Sequence, residues 1–369
     1  MSGKPYGVGI VGLQPGASWG AVAHVPALRT LSEDFEIIGV ANTSRASAEA
    51  AAAACGIPRA FEGVAELVAS SEIDVVAVTV KVPHHFEIVK AAIDAGKHVY
   101  CEWPLGNGLA EAHELADLAR AKGVLSVIGT QARVAPEIEY LRELIANGFV
   151  GEVLSTTVIG CGVTWSAEVE QRNAYLLDRT NGATLLTIPL GHTLAAVQDV
   201  LGEVAELSAQ LATRRNSARV IETGKIRPMT APDQVLIAGV LASGAPISVH
   251  YRGGMPRGTG FLWEINGTEG DIQVSATHGN SQLLPLTLRG GRGDDRELHP
   301  IDVPRSYTSD WPEDSVSGNV ARVYARMAAD LRNGTRMAPS FDDAVGLHRL
   351  IAAVEAAADS GCRVSPHGL

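Results

Sequence analysis

The chain has 369 residues, of which 46% are hydrophobic and 19% charged, and its formal net charge is −11. That length is too great for one ordinary core and suits two domains, and the composition is that of a globular protein with a substantial interior. Because the excess charge is negative and the basic residues form no run, we expect neither nucleic acid nor an anionic membrane as a partner.

Cysteine spacing and hydropathy indicate the cellular compartment in which we expect this chain. The four cysteines are far apart and include no C-x-x-C pair: Cys55, Cys101, Cys161 and Cys362. This argues against a disulfide framework and a zinc site, and the histidines also lack ligand spacing, so we expect no metal. The N-terminal residues lack the apolar stretch of a signal peptide, and no apolar run approaches a membrane span. We therefore expect a cytoplasmic protein with reduced thiols.

Short β-branched runs alternate with segments of helical apolar spacing over the first third of the chain. The runs predict strands at 7–11, 35–40, 74–80, 98–101 and 125–128, and the segments between predict helices that include 47–55, 87–95 and 109–121. A glycine follows each of these helices, at Gly56, Gly96 and Gly123. Strands that are apolar throughout indicate a parallel sheet covered on both faces. Residues 1–131 are thus predicted to form a Rossmann dinucleotide-binding domain.

The pattern changes after this point. A helix at 136–146, a strand at 153–159 and a long helix at 185–201 precede alternating, hairpin-like strands at 235–240, 247–251, 261–265 and 272–274. Such strands predict a mainly antiparallel sheet with one covered face. Residues 289–317, rich in Gly, Asp, Pro and Arg, are predicted to be a long loop before two helices at 320–332 and 343–359. The fold class is α/β, with residues 132–369 as a second α/β domain for substrate binding and oligomerisation.

The best candidate for a phosphate-binding turn follows the first strand. A literal G-x-G-x-x-G at Gly7, Gly9 and Gly12 lies inside that strand, whereas phosphate-binding glycines belong in the turn after it. The segment GLQPGASWG from Gly12 to position 20 occupies that turn, where glycines let backbone amides approach a pyrophosphate and a helix start supplies partial positive charge. We expect cofactor contacts from four of its residues: Gly12, Gln14, Gly16 and Trp19. Its spacing is longer than the standard fingerprint, so an ordinary glycine-rich connection is the alternative.

The end of the second strand bears on which coenzyme is bound. NAD sites usually carry an acidic residue here for the ribose 2′-hydroxyl, whereas an arginine suits a 2′-phosphate. Asn42 removes the repulsion of an acid, and Thr43, Ser44 and Arg45 offer hydroxyl and guanidinium donors. The segment therefore predicts NADP, with NAD as the alternative, although Ser44 is also suited to cap the next helix.

Four segments together resemble the glucose–fructose oxidoreductase/inositol dehydrogenase (Gfo/Idh/MocA) family, and within it the branch similar to the fungal galactose-pathway repressor. They are GIVGLQPGASWGAVAHVPAL, HHFEIVKAAIDAGKHVYCEWPLG, ATLLTIPLGHTLAAVQDVLG and WEINGTEGDIQV. The resemblance spans most of the chain. It implies a Rossmann domain followed by a domain with an open, mainly antiparallel sheet that commonly serves as an oligomer interface, and hence a homodimer or homotetramer.

The chain departs from the family pattern at two positions. Family dehydrogenases typically carry Glu-Lys-Pro after the fifth strand, with the lysine near the reacting carbon, whereas this chain has Glu102-Trp103-Pro104. We place Glu102 and Trp103 among the cofactor-binding residues. A later family helix typically carries an aspartate four residues before its catalytic histidine; His192 matches the histidine, but Ile188 replaces the aspartate. The repressor-like branch shares this pattern, and its fungal namesake is a cofactor-binding regulator.

Two residues are candidates for proton handling. Oxidising an alcohol needs an acceptor for the hydroxyl proton, and the imidazole of His192 suits this role at neutral pH and would contact the substrate. The alternative is a structural histidine in an apolar helix. Lys81 lies just past the fourth strand, at the edge where parallel sheets bind ligands, and would bind the cofactor ribose or replace the missing lysine. A surface lysine is its alternative.

The substrate candidates lie in the second domain. Tyr175, Asp178 and Asn181 precede the His192 helix, in a loop that lines the substrate pocket of family members. Their hydroxyl, carboxylate and amide groups suit a small, sugar-like ligand, although Asp178 is also a residue that caps local turns. Arg133 and Trp165 are further pocket candidates.

Three functions remain open on the sequence. We favour an NADP-dependent oxidoreductase that transfers a hydride between nicotinamide and a small, sugar-like carbonyl or hydroxyl compound. The second is a catalytically silent cofactor and sugar sensor that docks onto a transcription factor. The third is a dehydratase or glycosidase-like enzyme that uses transient oxidation with a retained cofactor.

Overall fold

The computed structural model describes residues 4–16 and 18–368. It divides into two units. One comprises the residues up to Gln131 together with Asp310–Gly346, and the other comprises Ala132–Ser309 together with the residues from Leu347 onward. The first division falls where the sequence pattern changes, but residues 310–346, predicted as part of the second domain, belong to the first unit.

The first unit is built on a six-stranded parallel sheet. Its strands are β1 (Tyr6–Val11), β2 (Phe35–Asn42), β3 (Arg59–Glu62), β4 (Val75–Val78), β5 (His98–Glu102) and β6 (Ser126–Gly129). The spatial order is β3-β2-β1-β4-β5-β6, so the direction of winding reverses between β1 and β4. In open α/β sheets, ligands bind in the crevice at the carboxyl ends of the strands at such a reversal.

Helices connect these strands. A π-helical turn at Gly20–His24 continues as α1 (Val25–Thr30), and the others are α2 (Arg45–Cys55), α3 (Gly63–Ala69), α4 (His85–Asp94) and α5 (Leu109–Lys122). The predicted strands and helices of this region are confirmed, and Gly56 and Gly123 cap α2 and α5 in the left-handed conformation. The edge strand β3 and the short helix α3 were not predicted.

The second unit contains an eight-stranded mixed sheet and a small three-stranded one. Its elements are α6 (Pro136–Ala146), β7 (Val153–Gly162), β8 (Glu168–Val169), a π-helical turn at Leu186–Leu190 that leads into α7 (Gly191–Leu201), β9 (Val204–Ala212), β10 (Ser217–Val220), β11 (Ile226–Pro228), β12 (Gln234–Leu241), β13 (Pro246–Gly253), β14 (Phe261–Gly267), β15 (Gly270–Ala276), β16 (Thr287–Arg292) and β17 (His299–Ile301). The large sheet runs β17-β16-β15-β14-β7-β13-β12-β9, and the small one β11-β10-β8.

The large sheet is mainly antiparallel, as predicted, because only β7 and β13 pair in parallel. Side chains on β13 alternate: Ile247, Val249 and Tyr251 are buried, whereas Ser248 is exposed and His250 half-buried. This alternation leaves one face of the sheet covered and the other open.

The prediction of a long loop over 289–317 was wrong at 289–292, 299–301 and 315–317. Strands β16 and β17 form there, because β15 supplies hydrogen-bonding partners that the local composition does not reveal. The glycines that indicated a loop instead allow close packing: a Cβ atom on Gly290 would lie 2.6 Å from Cδ1 of Ile301.

The last two helices are α8 (Ser315–Asn333) and α9 (Phe341–Ser360). Helix α8 belongs to the first unit because Tyr324 stacks on Tyr100 with ring centroids 4.6 Å apart. Nearby, the N–H of Ile128 on β6 donates to the carbonyl of Pro339 at 2.9 Å, which adds a short segment to the sheet edge. Within the described ranges, no helix combines the length and apolarity that crossing a bilayer requires.

Candidate active site

The turn after β1 is shaped by three glycines with different surroundings. Gly12 has φ +94°, and a Cβ there would lie 2.4 Å from Cγ1 of Val80; a Cβ on Gly20 would lie 2.7 Å from Oγ1 of Thr79. Gly16 has φ +67° and open space around it. The outer two glycines thus let the turn pack against the end of β4, and Gly16 leaves backbone facing open space, as a diphosphate-binding turn requires. Ala17 in this turn lies outside the described residues.

We expect Gly12→Ala to lower the free energy of unfolding by about 3 kcal/mol, since it adds both left-handed strain and a clash with Val80. Gly16→Ala is the matched control. It adds the strain alone and should cost about 1 kcal/mol. Urea titration of both variants measures the difference, and equal losses would contradict the packing role of Gly12.

The other predicted residues of the turn lie along its course. Gln14 is exposed, and its backbone N–H donates to Oγ of Ser18 at 2.8 Å. Trp19 is half-buried and directly precedes the π-helical turn. Asn42 ties the turn to β2, because its Oδ1 accepts from the N–H of Leu13 at 3.0 Å and its Nδ2 donates to the carbonyl of Leu13 at 2.9 Å. The turn is therefore held in place before any ligand arrives.

The residues predicted to read a 2′-phosphate have other partners. Ser44 is the N-cap of α2 and accepts from the N–H of Ser47 at 3.3 Å, which is the capping role left open by the sequence. Arg45 donates to both carboxylate oxygens of Glu66 at 2.8 Å. Thr43 is exposed. The NADP preference thus stays a prediction.

A buried polar network lies at the end of β5, and only Glu102 among its members was predicted. Nε2 of His24 donates to Glu102 at 2.8 Å, and Nε2 of Gln131 donates to both of its oxygens at 2.7 and 2.9 Å. Because a carboxylate only accepts, Nε2 carries the His24 proton, and in the neutral ring Nδ1 accepts from the hydroxyl of Tyr324 at 2.8 Å. Burial acts to raise the pKa of Glu102, but His24 and Gln131 outweigh burial and hold that pKa below its ordinary value. Glu102 is therefore a fixed, buried carboxylate.

Two polar atoms beside this network bear on whether a cofactor fits here. Oγ1 of Thr130 and Oε1 of Gln131 are buried and find no hydrogen-bond partner among residues 4–16 and 18–368. Buried polar atoms without partners call for an explanation, and completion by a bound polar ligand is one. Together with the open backbone at Gly16, they fit a nicotinamide dinucleotide at the carboxyl edge of this sheet.

Lys81 and Trp103 differ in exposure. Lys81 is exposed, three residues beyond the end of β4, whereas Trp103 is only 4% exposed. His85 connects these two segments, since its ring nitrogens lie 3.0 Å from the carbonyl of Val80 and 2.7 Å from that of Pro104. Burial lowers the pKa of His85. This histidine holds together the segments that follow β4 and β5.

In the second unit, His192 lies in the first turn of α7 and is 4% exposed. The next residue, Thr193, belongs to a buried hydroxyl cluster that sequence reasoning missed. Its Oγ1 lies 2.6 Å from the hydroxyl of Tyr251 and 3.2 Å from Oγ of Ser281. Burial raises the pKa of Tyr251 far above its ordinary value, so its hydroxyl stays protonated.

The loop before this helix is built around Tyr175. Burial raises the pKa of Tyr175 to about 12, which keeps its hydroxyl protonated. Asn181 donates to the carbonyl of Tyr175 at 2.7 Å, and Asp178 accepts from the N–H of Thr180 at 3.0 Å, a bond that lowers its pKa. Asp178 therefore caps a local turn. Trp165 is buried and supports the loop by donating to the carbonyl of Leu176 at 2.9 Å.

Arg133 is half-buried in an ion pair. Its Nη2 lies 2.9 Å from Asp199 on α7, and Arg142 on α6 lies 2.9 Å from the other oxygen of the same carboxylate. Arg142 thus joins α6 to α7, and Arg133 ties the segment just before α6 to the same carboxylate. This assigns Arg133 a clear structural partner, and its predicted contact with substrate stays a prediction.

The residues that sequence reasoning missed had weak signals. His24 and Gln131 each lie at the carboxyl edge of the parallel sheet, which is the one positional clue available. Tyr324 meets His24 from a distant segment of the chain, and the members of the hydroxyl cluster likewise meet one another: Thr193, Tyr251 and Ser281. No local sequence pattern predicts such contacts.

A doubly wound parallel sheet with a glycine turn at its point of reversal, joined to a unit with an open mixed sheet, defines a Rossmann-type dinucleotide-binding protein with a second α/β domain. Comparison with known proteins agrees. Residues 6–130 match the model of the oxidoreductase family with NAD-binding Rossmann fold, and residues 136–276 match that of the Gal80p C-terminal domain.

Both enzymes and regulators are among the similar proteins. The dehydrogenase aclE of Aspergillus oryzae is 31% identical over 97% of each chain. The structure of a super-repressor mutant of Gal80p from Saccharomyces cerevisiae has a TM-score of 0.89 at 25% identity, covering 98% of this chain and 97% of that one. A levoglucosan dehydrogenase in complex with NADH and levoglucosan has a TM-score of 0.85 at 20% identity, covering 98% and 99%, and shows the shared fold. The chain belongs to the Gfo/Idh/MocA oxidoreductase family, with a C-terminal domain of the Gal80p type.

Proposed function

We propose that this protein is a nicotinamide-dependent oxidoreductase that transfers a hydride to or from a small hydroxyl or carbonyl compound. The observation that carries the proposal is the turn after β1, where Gly16 presents open backbone at the reversal point of the sheet. Family membership supports the same activity.

In this proposal, the residues of the first unit bind the coenzyme and orient it. The glycine turn receives the diphosphate, and Asn42 keeps that turn fixed through Leu13. Glu102, held by His24 and Gln131, presents a charge that cannot reorient, which favours one placement of the bound nicotinamide. When bound, the nicotinamide supplies the hydride chemistry, and the protein supplies position and proton handling.

Residues of the second unit handle the substrate. His192 holds the proton that leaves a substrate hydroxyl on oxidation and returns it to a carbonyl on reduction. Tyr175 offers a hydroxyl that stays protonated, because burial raises its pKa to about 12. Lys81, a residue of the first unit, is the second candidate for the proton. These groups suit a ligand with several hydroxyls, so the proposed substrate is sugar-like.

The purified 369-residue chain should bind NAD or NADP in calorimetry and turn over at least one compound from a panel of sugars, ketoses and imines. Turnover is followed at the absorbance band of reduced nicotinamide. If neither NAD nor NADP binds, in the oxidised or the reduced form, the prediction is contradicted. Both a catalytic and a sensing function require coenzyme binding.

A cofactor-binding regulator is the second candidate function. Two observations favour it: Trp103 is almost fully buried where family dehydrogenases have lysine, and Ile188 stands where they have aspartate. The similarity to Gal80p points the same way. Tight coenzyme binding with no turnover across the panel would support this function over catalysis. The homodimer or homotetramer and the cytoplasmic location stay predictions.

A further inference from the structure

The arginine predicted to bind a 2′-phosphate forms an ion pair with a glutamate. Arg45 begins α2 directly after β2, where the 2′ position of an adenosine ribose is recognised in Rossmann folds. Its Nη2 lies 2.8 Å from both oxygens of Glu66, and its Nη1 donates to the carbonyl of Ala60 at 2.9 Å. With one nitrogen on the carboxylate and the other on a backbone carbonyl, both ends of the guanidinium are held and its orientation is fixed.

Glu66 is itself anchored. Its Oε2 accepts from the backbone N–H of Glu62 at 2.6 Å, and this bond, followed by the one from Arg45, lowers the pKa of Glu66. Glu66 is therefore ionised at neutral pH and cannot follow Arg45 toward a ligand without losing its contact at the start of α3.

The surroundings of Arg45 are acidic. Glu62 ends β3 directly beside Asn42, its partner in the parallel register. Glu66 contributes most to raising the pKa of Arg45, and the nearby charges of Glu62 and Glu49 add to the effect. Glu66 pairs with Arg45, and the charges of Glu62 and Glu49 act on the same guanidinium, so a doubly charged phosphate here would meet net repulsion.

We propose that Glu66 determines coenzyme choice in this chain by holding Arg45, so that the protein selects NAD over NADP. The inference rests on the proposed function, because it concerns the same coenzyme site. It reverses the preference that Asn42 and Arg45 suggest when they are considered without their partners. Moving Arg45 to a 2′-phosphate breaks its bonds to Glu66 and Ala60 and leaves the carboxylate of Glu66 uncompensated.

The test compares dissociation constants for NAD and NADP in the full chain, measured by calorimetry for the unaltered protein, Glu66→Gln and Glu72→Gln. Glutamine keeps an oxygen for the N–H of Glu62 but removes the charge that holds Arg45. We expect Glu66→Gln to improve NADP binding relative to NAD by about tenfold, an effect that shrinks as salt is raised. Glu72 is the matched control: it forms a similarly exposed ion pair with Arg59, and its replacement should leave the ratio unchanged.

The double variant Arg45→Ala/Glu66→Gln tests the mechanism, since the gain should disappear when the released arginine is removed. An unaltered protein that prefers NADP, a Glu66→Gln ratio equal to that of the unaltered protein, or an equal gain in the double variant would each overturn the inference. These results all include measurable coenzyme binding. Failure of the proposed function is distinct, because it appears as no binding of either coenzyme.

Discussion

Replacing His192 with glutamine is expected to lower kcat/KM by about 10²- to 10⁴-fold while the Kd of the coenzyme stays the same. His192 is the one residue at a family catalytic position that this chain retains, since Trp103 and Ile188 replace the other two. Glutamine keeps a polar side chain of similar reach but cannot exchange a proton near neutral pH. The loss should therefore fall on turnover, in either direction of the reaction.

Two companion variants make this result specific. His250→Gln changes a half-buried histidine on β13 whose Nε2 lies 3.4 Å from Gln234, and it should leave kcat/KM unchanged. Lys81→Met should lower activity less than His192→Gln. If His192→Gln keeps full activity and Lys81→Met loses most of it, the proposed role of His192 is refuted. Lys81 would then be the residue that exchanges the substrate proton. Thermal unfolding checks that replacing the buried His192 leaves the fold intact.

Replacing Glu102 with alanine is expected to lower the free energy of unfolding by about 3–5 kcal/mol. The substitution removes the acceptor for His24 and Gln131, both of which are fully buried and would lose their hydrogen bonds to the carboxylate. Urea denaturation measures the loss. Glu72→Gln, which breaks an exposed ion pair with Arg59, should cost less than about 1 kcal/mol.

The Glu102 contribution should also depend on pH in one direction. The pKa of Glu102 is lower in the folded protein than its ordinary value, so the folded state favours the ionised form. The resulting stability is fully present above the unfolded-state pKa, about 4.3, and is lost as the pH falls through the lowered pKa of the folded state. Stability of the unaltered chain should therefore fall more steeply below about pH 4.3 than that of Glu102→Ala. Parallel curves would contradict this assignment.

Local sequence signals predicted most of the first sheet. The runs at β1, β2, β4, β5 and β6 are apolar because helices cover both faces, and the glycines after α2 and α5 mark where helical backbone must end. Strand β3 escaped prediction because it lies at the sheet edge, where Phe61 alone among its four residues is buried. A single buried side chain produces no periodic pattern.

The candidate site was predictable by position but not by partner. Because parallel strands end at one edge, sequence order was enough to bring Gly12, Asn42, Lys81 and Glu102 to the same side of the sheet. It did not reveal that Arg45 pairs with Glu66, 21 residues away, or that His24 meets Tyr324, 300 residues away. These contacts decide which charges are available to a ligand.

The sequence by itself determined the class of fold, the glycine-rich turn after β1 and the family, because periodicity and glycine placement act over a few residues. The tertiary structure alone decided the membership of α8 in the first unit, the formation of β16 and β17, and the direction in which Arg45 points. Each of these depends on a partner distant in the chain, and the energy of an ion pair, a strand ladder or an aromatic stack exists only once both partners have been brought together.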